Sequence, residues 1–244
     1  MIKVLVAGAE GKMGKITVTT LLQHSDFNCI AKVSRNDNLE EIILETKPDI
    51  AIDFTTPDSV FKNCQTYIKL RLPPVIGTSG LSMTEIKQLQ MGCEQQKLGA
   101  IIAPNFSLSA ILMMKYAKDA ARYFPDVEII EMHHPFKLDS PSGTANKTAH
   151  LIVESRKTTV STNGIASKNT EQPARGDLSQ GIPIHSVRLP GLFASQSVIF
   201  GGHSELLTIR HDCLDRQSCM PGVLLACKKV LELDHLIYGL ENLI

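Results

Sequence analysis

The chain has 244 residues, of which 43% are hydrophobic and 20% charged, so it can bury a full core and has the composition of a globular protein. Its 25 Lys and Arg residues balance its 25 Asp and Glu residues, and this even charge points to neither a nucleic acid nor a membrane surface as partner. No apolar run reaches membrane-spanning length, no signal peptide precedes the first strand, and the six cysteines lack metal-ligand spacing, so we expect a cytoplasmic protein without a bound metal.

The first hundred residues alternate between short apolar runs and helical patterns. Five runs are short, uniformly apolar and bounded by turn residues, as expected of strands buried on both faces: 2–7, 28–33, 49–54, 73–77 and 99–104. Helical patterns lie between them at 14–24, 59–70 and 82–97. This alternation predicts an α/β fold in which residues 1–104 form a Rossmann-like, doubly wound parallel sheet.

The pattern changes after residue 105. Helical stretches at 109–123 and 144–157 flank a strand at 127–134, and residues 158–181 are expected to form an irregular connection. Three strand-like runs follow at 182–190, 195–202 and 205–212, and their succession indicates antiparallel pairing. We therefore predict a second, α+β domain with a mixed or antiparallel sheet over 105–216, and an amphipathic helix over 217–244 that returns to the first domain.

The stretch "VLVAGAEGKMGK", residues 4–15, resembles a dinucleotide-binding turn with altered spacing. Gly8 permits the tight turn, Gly14 permits close packing of helix on sheet, and Gly11 permits close approach of the backbone to a pyrophosphate. Glu10 stands where the usual fingerprint has a glycine; its charge is tolerable if the side chain turns to solvent and Lys12 offsets it. The stretch predicts a dinucleotide site, and a tight turn that binds nothing remains the alternative.

The end of the second strand bears on the choice of cofactor. Sites for NAD usually place an acidic residue there to bind the ribose 2′-hydroxyl, whereas this chain has Ser34 and Arg35. Arg35 can pair with a 2′-phosphate and Ser34 can donate a hydrogen bond to it. The sequence therefore favours NADPH, while Asp37 leaves NADH open.

The stretch "EMHHPFKLDSPSGTA", residues 131–145, combines groups suited to acid–base chemistry. A histidine near its pKa can deliver a proton, and a lysine beside a helix start favours a dianionic substrate. A metal site at the histidine pair is disfavoured because adjacent residues of a strand point to opposite faces, and a Ser142 nucleophile is disfavoured because no G-x-S-x-G turn surrounds it. A polar loop without function stays open on the chemistry alone.

Taken in order, "VAGAEGKMG", "AIDFTTP", "VIGTSG", "APNFS" and the 131–145 stretch resemble the motifs of the 4-hydroxy-tetrahydrodipicolinate reductase family, also called dihydrodipicolinate reductase. The resemblance runs from residue 2 to about residue 230. It implies NADPH- or NADH-dependent reduction of a cyclic dicarboxylate in diaminopimelate and lysine biosynthesis. It also implies a homotetramer whose second domain binds substrate and mediates assembly.

The resemblance further implies roles for individual residues. His133 would be the general acid and Lys137 its partner, which also binds substrate. A substrate carboxylate would be held by His134, Ser142, Gly143 and Thr144. The cofactor would be lined by Gly8, Ala9, Glu10, Gly11, Lys12, Met13, Ser34, Arg35, Gly77, Thr78, Ser79, Ala103, Pro104, Asn105 and Phe106.

Some positions depart from the family pattern. Pro135 and Phe136 follow the histidine pair where the family usually has Arg, Leu189 and Pro190 replace a Gly-Gly pair, and Gln196 replaces a histidine. These departures bear on tetramer packing and cofactor choice more than on the reaction. Two other functions remain open: another two-domain NAD(P)-dependent oxidoreductase, such as an amino-acid dehydrogenase, and a non-catalytic NADPH-binding regulator.

Overall fold

The structure is a computed structural model that describes residues 1–156 and 173–244. The chain divides into two compact units: Met1–Leu108 with Arg216–Ile244 form the first, and Ser109–Asp215 form the second. Residues 158–172 of the predicted irregular connection lie outside the described residues. The rest of the connection, residues 173–181, contains a 3₁₀ turn and a short strand.

The strands, in chain order, are β1 (Ile2–Ala7), β2 (Phe27–Val33), β3 (Ile50–Asp53), β4 (Pro74–Ile76), β5 (Ala100–Ile102), β6 (Asp126–His133), β7 (Asp177–Ser179), β8 (Ile182–Arg188), β9 (Ala194–Gly202), β10 (Glu205–Cys213) and β11 (Leu236–Tyr238). The α-helices are α1 (Lys12–Gln23), α2 (Leu39–Thr46), α3 (Pro57–Lys69), α4 (Met83–Gln96), α5 (Leu108–Ala120), α6 (Gly143–Arg156) and α7 (Met220–Lys229).

The first unit contains a six-stranded parallel sheet in the order β11-β5-β4-β3-β1-β2. Its central strands are buried on both faces, and Val4, Leu5 and Ile52 have no exposed surface. This burial explains why the strands read as uninterrupted apolar runs. Strand order reverses at β1, which pairs with β2 on one side and β3 on the other, and such a switch point is where doubly wound sheets bind ligands. The predicted Rossmann-like sheet is confirmed.

The segment 217–244 returns to the first unit as expected, but the helix predicted over its whole length is wrong beyond Lys229. Helix α7 ends at Lys229, a 3₁₀ turn covers Val230–Glu232, and β11 then adds a sixth parallel strand beside β5. Gly239, with φ of +91°, ends this strand in a conformation that favours glycine. A short apolar run such as "HLIY" fits a helix face or a buried strand equally well, and the free edge of β5 decided between them.

The second unit contains a five-stranded mixed sheet in the order β10-β9-β6-β8-β7, which confirms the predicted class of fold. The expected antiparallel pairing holds for β9 with β10. It is wrong for β8 with β9, because β8 lies between β6, to which it is parallel, and β7, to which it is antiparallel. Helix α6 packs against β6. Alternate residues of β6 therefore face the core: Val127 and Ile129 are buried, and Glu131 and His133 continue the same face.

Candidate active site

The turn between β1 and α1 depends on its glycines. Gly8 has φ of +77°, and a Cβ there would lie 2.3 Å from the Phe54 carbonyl oxygen. A Cβ on Gly14 would lie 2.1 Å from the Gly8 carbonyl oxygen. Gly11 is the N-cap residue of α1, and no side chain caps this helix. The N–H groups in the first turn of α1 therefore have no capping side chain as acceptor. Such a helix start suits an anionic group.

The carboxylate of Glu10 turns to solvent, as the sequence analysis required. Its side chain is 74% exposed and lies 3.5 Å from the ammonium of Lys15, an exposed pair that contributes little to stability. The neighbouring lysine is therefore Lys15 and not Lys12 as expected. Lys12 is exposed in the first turn of α1, beside the uncapped N–H groups.

The loop after β2 places a carboxylate among the residues predicted to select the cofactor. Asp37 accepts hydrogen bonds from the Ser34 backbone N–H at 2.7 Å and from the Ser34 hydroxyl at 2.8 Å, and these bonds lower the pKa of Asp37. The side chain of Arg35 is exposed. The loop thus presents the cation of Arg35 and the anion of Asp37, and the Ser34 hydroxyl already donates its hydrogen bond to Asp37.

Asp53, the last residue of β3, is a fully buried carboxylate that the sequence analysis did not single out. Its Oδ1 atom accepts hydrogen bonds from the backbone N–H (3.0 Å) and hydroxyl (2.6 Å) of Thr55, and from the hydroxyl of Thr78 (2.8 Å). Its Oδ2 atom accepts from the Asn63 amide at 2.9 Å and the Tyr67 hydroxyl at 3.0 Å. Asp53 therefore joins the loop after β3 to the loop after β4. The Thr78 hydroxyl is directed to Asp53, which leaves the Thr78 backbone for contact with a cofactor.

Two aromatic rings join the loop after β3 to the loop after β5, and Gly77 of the loop after β4 lies against both. Phe54 and Phe106 meet edge to face with centroids 5.8 Å apart. A Cβ on Gly77 would lie 2.1 Å from the Phe54 ring and 2.8 Å from the Phe106 ring, so only glycine fits between them. The Asn105 side chain accepts from the Ser107 backbone N–H at 2.8 Å and shapes the loop after β5.

All the residues predicted to contact the cofactor follow the carboxyl ends of parallel strands in the first unit: Gly8, Ala9, Glu10, Gly11, Lys12, Met13, Ser34, Arg35, Gly77, Thr78, Ser79, Ala103, Pro104, Asn105 and Phe106. This is the edge at which such sheets bind nucleotides. The uncapped start of α1 and the side-chain-free backbone at Gly8 and Gly11 fit a pyrophosphate group. The residues present therefore suit a dinucleotide.

The side chain of His133 lies at the end of β6 and is 15% exposed. Its Nδ1 atom lies 2.6 Å from Oε2 of Glu131, which has no exposed surface. Arg188, at the end of the neighbouring β8, donates to both carboxylate oxygens of Glu131 at 2.8 Å. The parallel register pairs His133 with Arg188, so a histidine, a carboxylate and a guanidinium meet on one face of the sheet.

Burial and charge shift the pKa values of this group in defined directions. Burial lowers the pKa of His133 below its ordinary 6.5 and outweighs the opposing effect of Glu131. Burial alone would raise the pKa of Glu131, but hydrogen bonds from Arg188, Ser186 and His133 prevail and hold it below its ordinary 4.5. Glu131 is thus ionised near neutral pH, and His133 loses its charge at a lower pH than an ordinary histidine.

Lys137 lies in the loop that follows β6. Its ammonium pairs with Asp139, at 2.7 and 2.9 Å from the two carboxylate oxygens, and this lowers the pKa of Asp139. The Lys137 side chain is 21% exposed, whereas that of Asp139 is 61% exposed. His133 donates its Nδ1–H to Glu131 and does not bond to Lys137, but the positive charge of Lys137 lowers the pKa of the imidazole further.

The start of α6 lies against the same carboxylate. The Ser142 hydroxyl accepts from the Ala145 backbone N–H at 3.1 Å, which caps the helix, and the Ser142 N–H donates to Oε1 of Glu131 at 3.2 Å. Gly143 and Thr144 belong to the first helical turn, whose N–H groups have no preceding helical carbonyl to bind. A Cβ on Gly143 would meet nothing within 4 Å, so there is open space beside these donors.

Two more positions from the sequence analysis lie in the second unit: His134, predicted to bind substrate, and Gln196, named as a departure from the family pattern. His134 packs its ring beside Phe136 and Phe193, with centroids 6.4 Å away in each case, and its buried Nδ1 atom has no partner among the described residues. Gln196 lies opposite Glu131 in the register of β6 with β9 and donates to the Thr148 hydroxyl at 2.8 Å. The Gln196 side chain thus joins α6 to β9.

Sequence reasoning missed Glu131, Arg188 and Asp53. A signal for Glu131 exists, because it precedes His133 by two positions on a strand and therefore shares its face. Arg188 and Asp53 carry no local signal: Arg188 reaches Glu131 from a strand 57 residues further along the chain, and most partners of Asp53 come from other elements.

The first unit thus carries an edge suited to a dinucleotide, and the second carries a partly buried histidine, a lysine and an open helix start. This combination is typical of an NAD(P)H-dependent oxidoreductase. Residues 2–106 match the family "Dihydrodipicolinate reductase, N-terminus", and residues 109–244 match "Dihydrodipicolinate reductase, C-terminus". The chain therefore belongs to the dihydrodipicolinate reductase family, and the resemblance found in its motifs is confirmed.

Curated relatives agree over the full length. The 4-hydroxy-tetrahydrodipicolinate reductase of Coxiella burnetii is 53% identical and covers 100% of this chain and 99% of its own. That of Legionella pneumophila (strain Paris) is 51% identical over 99% of both chains.

The solved structures that resemble this chain include a member of the same family and more distant proteins that share only the fold. A dipicolinate-bound dihydrodipicolinate reductase from Paenisporosarcina sp. TG-14 is 44% identical, with a TM-score of 0.91 and full coverage of both chains. An amine dehydrogenase from Mycobacterium smegmatis reaches a TM-score of 0.63 at 12% identity, covering 98% of this chain and 95% of its own, and shows the likeness of fold alone.

Proposed function

We propose that this chain catalyses the NAD(P)H-dependent reduction of 4-hydroxy-tetrahydrodipicolinate to tetrahydrodipicolinate in the diaminopimelate and lysine pathway. The observation that carries the proposal is the cluster of His133, Lys137 and the start of α6 in a member of this family. Neither an amino-acid dehydrogenase nor a regulator that only binds NADPH requires this combination of groups.

The substrate is a ring with two carboxylates, and the second unit offers matching groups. Lys137 supplies a cation, and the N–H groups of Gly143 and Thr144 can bind a carboxylate oxygen. Ser142 contributes its hydroxyl and His134 its ring beside them. Because Asp139 holds Lys137 in a charge-assisted pair, an incoming carboxylate would compete with Asp139 for the ammonium.

The chemistry divides between cofactor and protein. The 4-hydroxyl group must first leave as water, which makes the ring conjugated. A bound NAD(P)H would then supply a hydride to C4 and become NAD(P)⁺, and the resulting enamine would need a proton. His133 delivers that proton as general acid, and Lys137 balances the substrate charge. Since the pKa of His133 lies below 6.5, the proton is lost more readily than from an ordinary histidine, which favours its transfer.

NADPH is the preferred cofactor in this proposal, and Arg35 supports it as an exposed cation after β2. Asp37 supports the use of NADH as well, because its carboxylate is held in the same loop and can accept from a ribose hydroxyl. Arg35→Ala should weaken NADPH binding far more than NADH binding, and Asp37→Asn should weaken NADH binding more. Equal losses for both cofactors in Arg35→Ala, measured by titration, would contradict the role of Arg35.

The assembly we propose is a homotetramer, and the second sheet offers a surface for it. The face opposite His133 carries Ile130, Ile199 and Leu206, and Leu206 is 76% exposed. Light scattering of the protein checks the subunit number. We also propose a cytoplasmic location, because the reaction consumes NAD(P)H and the six cysteines, all within the described residues, form no disulfide. No helix among the described residues is long and apolar enough to cross a membrane.

The decisive experiment is a coupled assay in which dihydrodipicolinate synthase supplies the substrate and nicotinamide absorbance reports NADPH oxidation. His133→Ala and Lys137→Ala should each lower turnover by about 10²-fold and leave NADPH affinity nearly unchanged. NADPH binding without oxidation in the wild-type protein would favour a regulator. Full turnover in both variants would show that the assigned roles are wrong.

A further inference from the structure

Glu131 makes hydrogen bonds to three parts of the candidate site. It has no exposed surface, and its Oε2 atom meets His133 Nδ1 at 2.6 Å and Arg188 Nη1 at 2.8 Å. Its Oε1 atom accepts from Arg188 Nη2 at 2.8 Å and from the Ser142 N–H at 3.2 Å. We propose that Glu131 is the positioning residue of the general acid: it fixes which nitrogen of His133 carries the transferable proton and sets that proton donor relative to the start of α6. The inference rests on the proposed function.

The hydrogen-bonding chemistry determines the tautomer of His133. An ionised carboxylate can only accept hydrogen bonds, so the 2.6 Å contact requires a proton on Nδ1. Nδ1 keeps this proton whether the ring is charged or neutral. The proton that His133 gains and loses is therefore on Nε2, and after transfer from Nε2 to the substrate carbon the ring is neutral with its Nδ1–H still bound to Glu131.

Arg188 keeps Glu131 in the form that this role needs. Protonation of Glu131 would turn one acceptor oxygen into a donor and break a bidentate contact with a group that cannot give up its own protons. The guanidinium is anchored in turn by the backbone carbonyls of Val187 at 2.9 Å and Asp139 at 2.8 Å. Glu131 is thus a fixed anion and does not take part in proton transfer itself.

The two oxygens of Glu131 couple two functions of the site. Oε2 orients the acid His133, and Oε1 binds the Ser142 N–H at the point where α6 begins. The hydroxyl of Ser142 caps that helix, whose next N–H groups are the proposed carboxylate donors. One rigid carboxylate therefore sets the distance between the proton donor and the substrate anchor.

Four charged groups act on His133, and each affects the expected pH dependence. Glu131 from its own strand raises the pKa of the imidazole, and the charges of Lys137 from the following loop and Arg188 from β8 lower it. Asp139, which pairs with Lys137, is close enough for the charge of His133 to lower its pKa. Removing the charge of Glu131 should therefore move the pKa of His133 further down.

A first test uses the wild-type protein and does not depend on activity. Nitrogen-15 NMR of selectively labelled histidine, with His133 assigned from the signal lost in His133→Gln, reports which ring nitrogen is protonated in the neutral form. We expect Nδ1–H with a bare Nε2. A neutral His133 protonated on Nε2 would overturn the proposal.

A second test removes the charge of Glu131 with little change in its shape. Glu131→Gln should lower kcat by about 10²-fold, shift the pH at which kcat declines to lower values, and leave the KM for NADPH within about twofold. Glu131→Asp keeps the charge but withdraws it from His133, and it should recover part of kcat. Circular dichroism and NADPH binding establish that both variants are folded.

The matched control is Glu128→Gln, on the same strand but the opposite face. Glu128 also binds a histidine, with its Oε2 atom 2.7 Å from Nε2 of His185, so this variant makes the same chemical change away from His133. It should keep the wild-type kcat and pH profile. A Glu131→Gln enzyme that behaves like Glu128→Gln would overturn the positioning role while leaving the proposed function intact. A wild-type protein that fails to oxidise NADPH would refute the proposed function, and the NMR result would still decide the tautomer.

Discussion

Replacing Arg188 by leucine should destabilise the second unit, because it leaves the carboxylate of Glu131 inside the protein without its cation. Glu131 is fully buried, and Arg188 supplies two charge-assisted hydrogen bonds to it, both of 2.8 Å. Removing one partner of a buried ion pair costs about 3–5 kcal/mol. His133 and the Ser142 N–H still serve the carboxylate, so we expect the lower end, about 3 kcal/mol.

Chemical denaturation followed by far-ultraviolet circular dichroism measures this loss, and calorimetry should show a melting temperature lower by about 6–12 °C. The control is Arg210→Leu, which removes an equally bidentate contact to Asp212, at 2.8 Å through both nitrogens, from an exposed position. An exposed pair contributes about 0–1 kcal/mol, so this variant should remain close to the wild type.

A double variant separates the buried charge from the lost packing. Adding Glu131→Leu to Arg188→Leu removes both charges, and most of the stability should return, since apolar residues can replace a buried ion pair without loss. If Arg188→Leu costs no more than Arg210→Leu, or if the double variant is less stable than Arg188→Leu, then the buried charge is not the cause and the reasoning fails.

Four further outcomes follow from the described contacts. Tyr67→Phe removes the hydroxyl that donates to buried Asp53 at 3.0 Å and should lower the free energy of unfolding by about 1–3 kcal/mol in urea titration; an unchanged midpoint would argue against the network. Gly14→Ala places a Cβ 2.1 Å from a backbone oxygen and should weaken NADPH binding at least about tenfold. In Gly92→Ala the new Cβ meets only a side chain at 3.4 Å, so this variant should stabilise α4 by up to about 1 kcal/mol. If Gly92→Ala were harmful and Gly14→Ala were not, the turn geometry would be contradicted. The pKa of Glu131 lies below 4.5 in the folded protein, so its ionised form stabilises the fold above that pH and this contribution is lost as pH falls through the lowered pKa. The stability advantage of wild type over Glu131→Gln should therefore shrink in acid, and an advantage that grows there would refute the assignment.

Features encoded over short stretches of chain could be predicted from the sequence. The uniformly apolar strands and the glycine spacing of the β1–α1 turn follow from local sterics and burial, so the Rossmann-like sheet was predictable and is confirmed. The His133 to Thr144 stretch is also local, and its motif pointed to the family that the full-length comparisons confirm. The individual roles of these residues stay predictions.

Features that depend on which strands become neighbours could not be predicted in the same way. The run at 236–238 became a strand because β5 had a free edge, and β8 became a parallel partner of β6. The same placement brought Arg188 to Glu131 and Thr78 to Asp53. The sequence by itself determined the glycine turn, the histidine and the helix start, because their geometry is set within a few residues. Only the tertiary structure decided the partners of the buried carboxylates, because a buried charge is satisfied by whichever donors the strand order brings within hydrogen-bond reach.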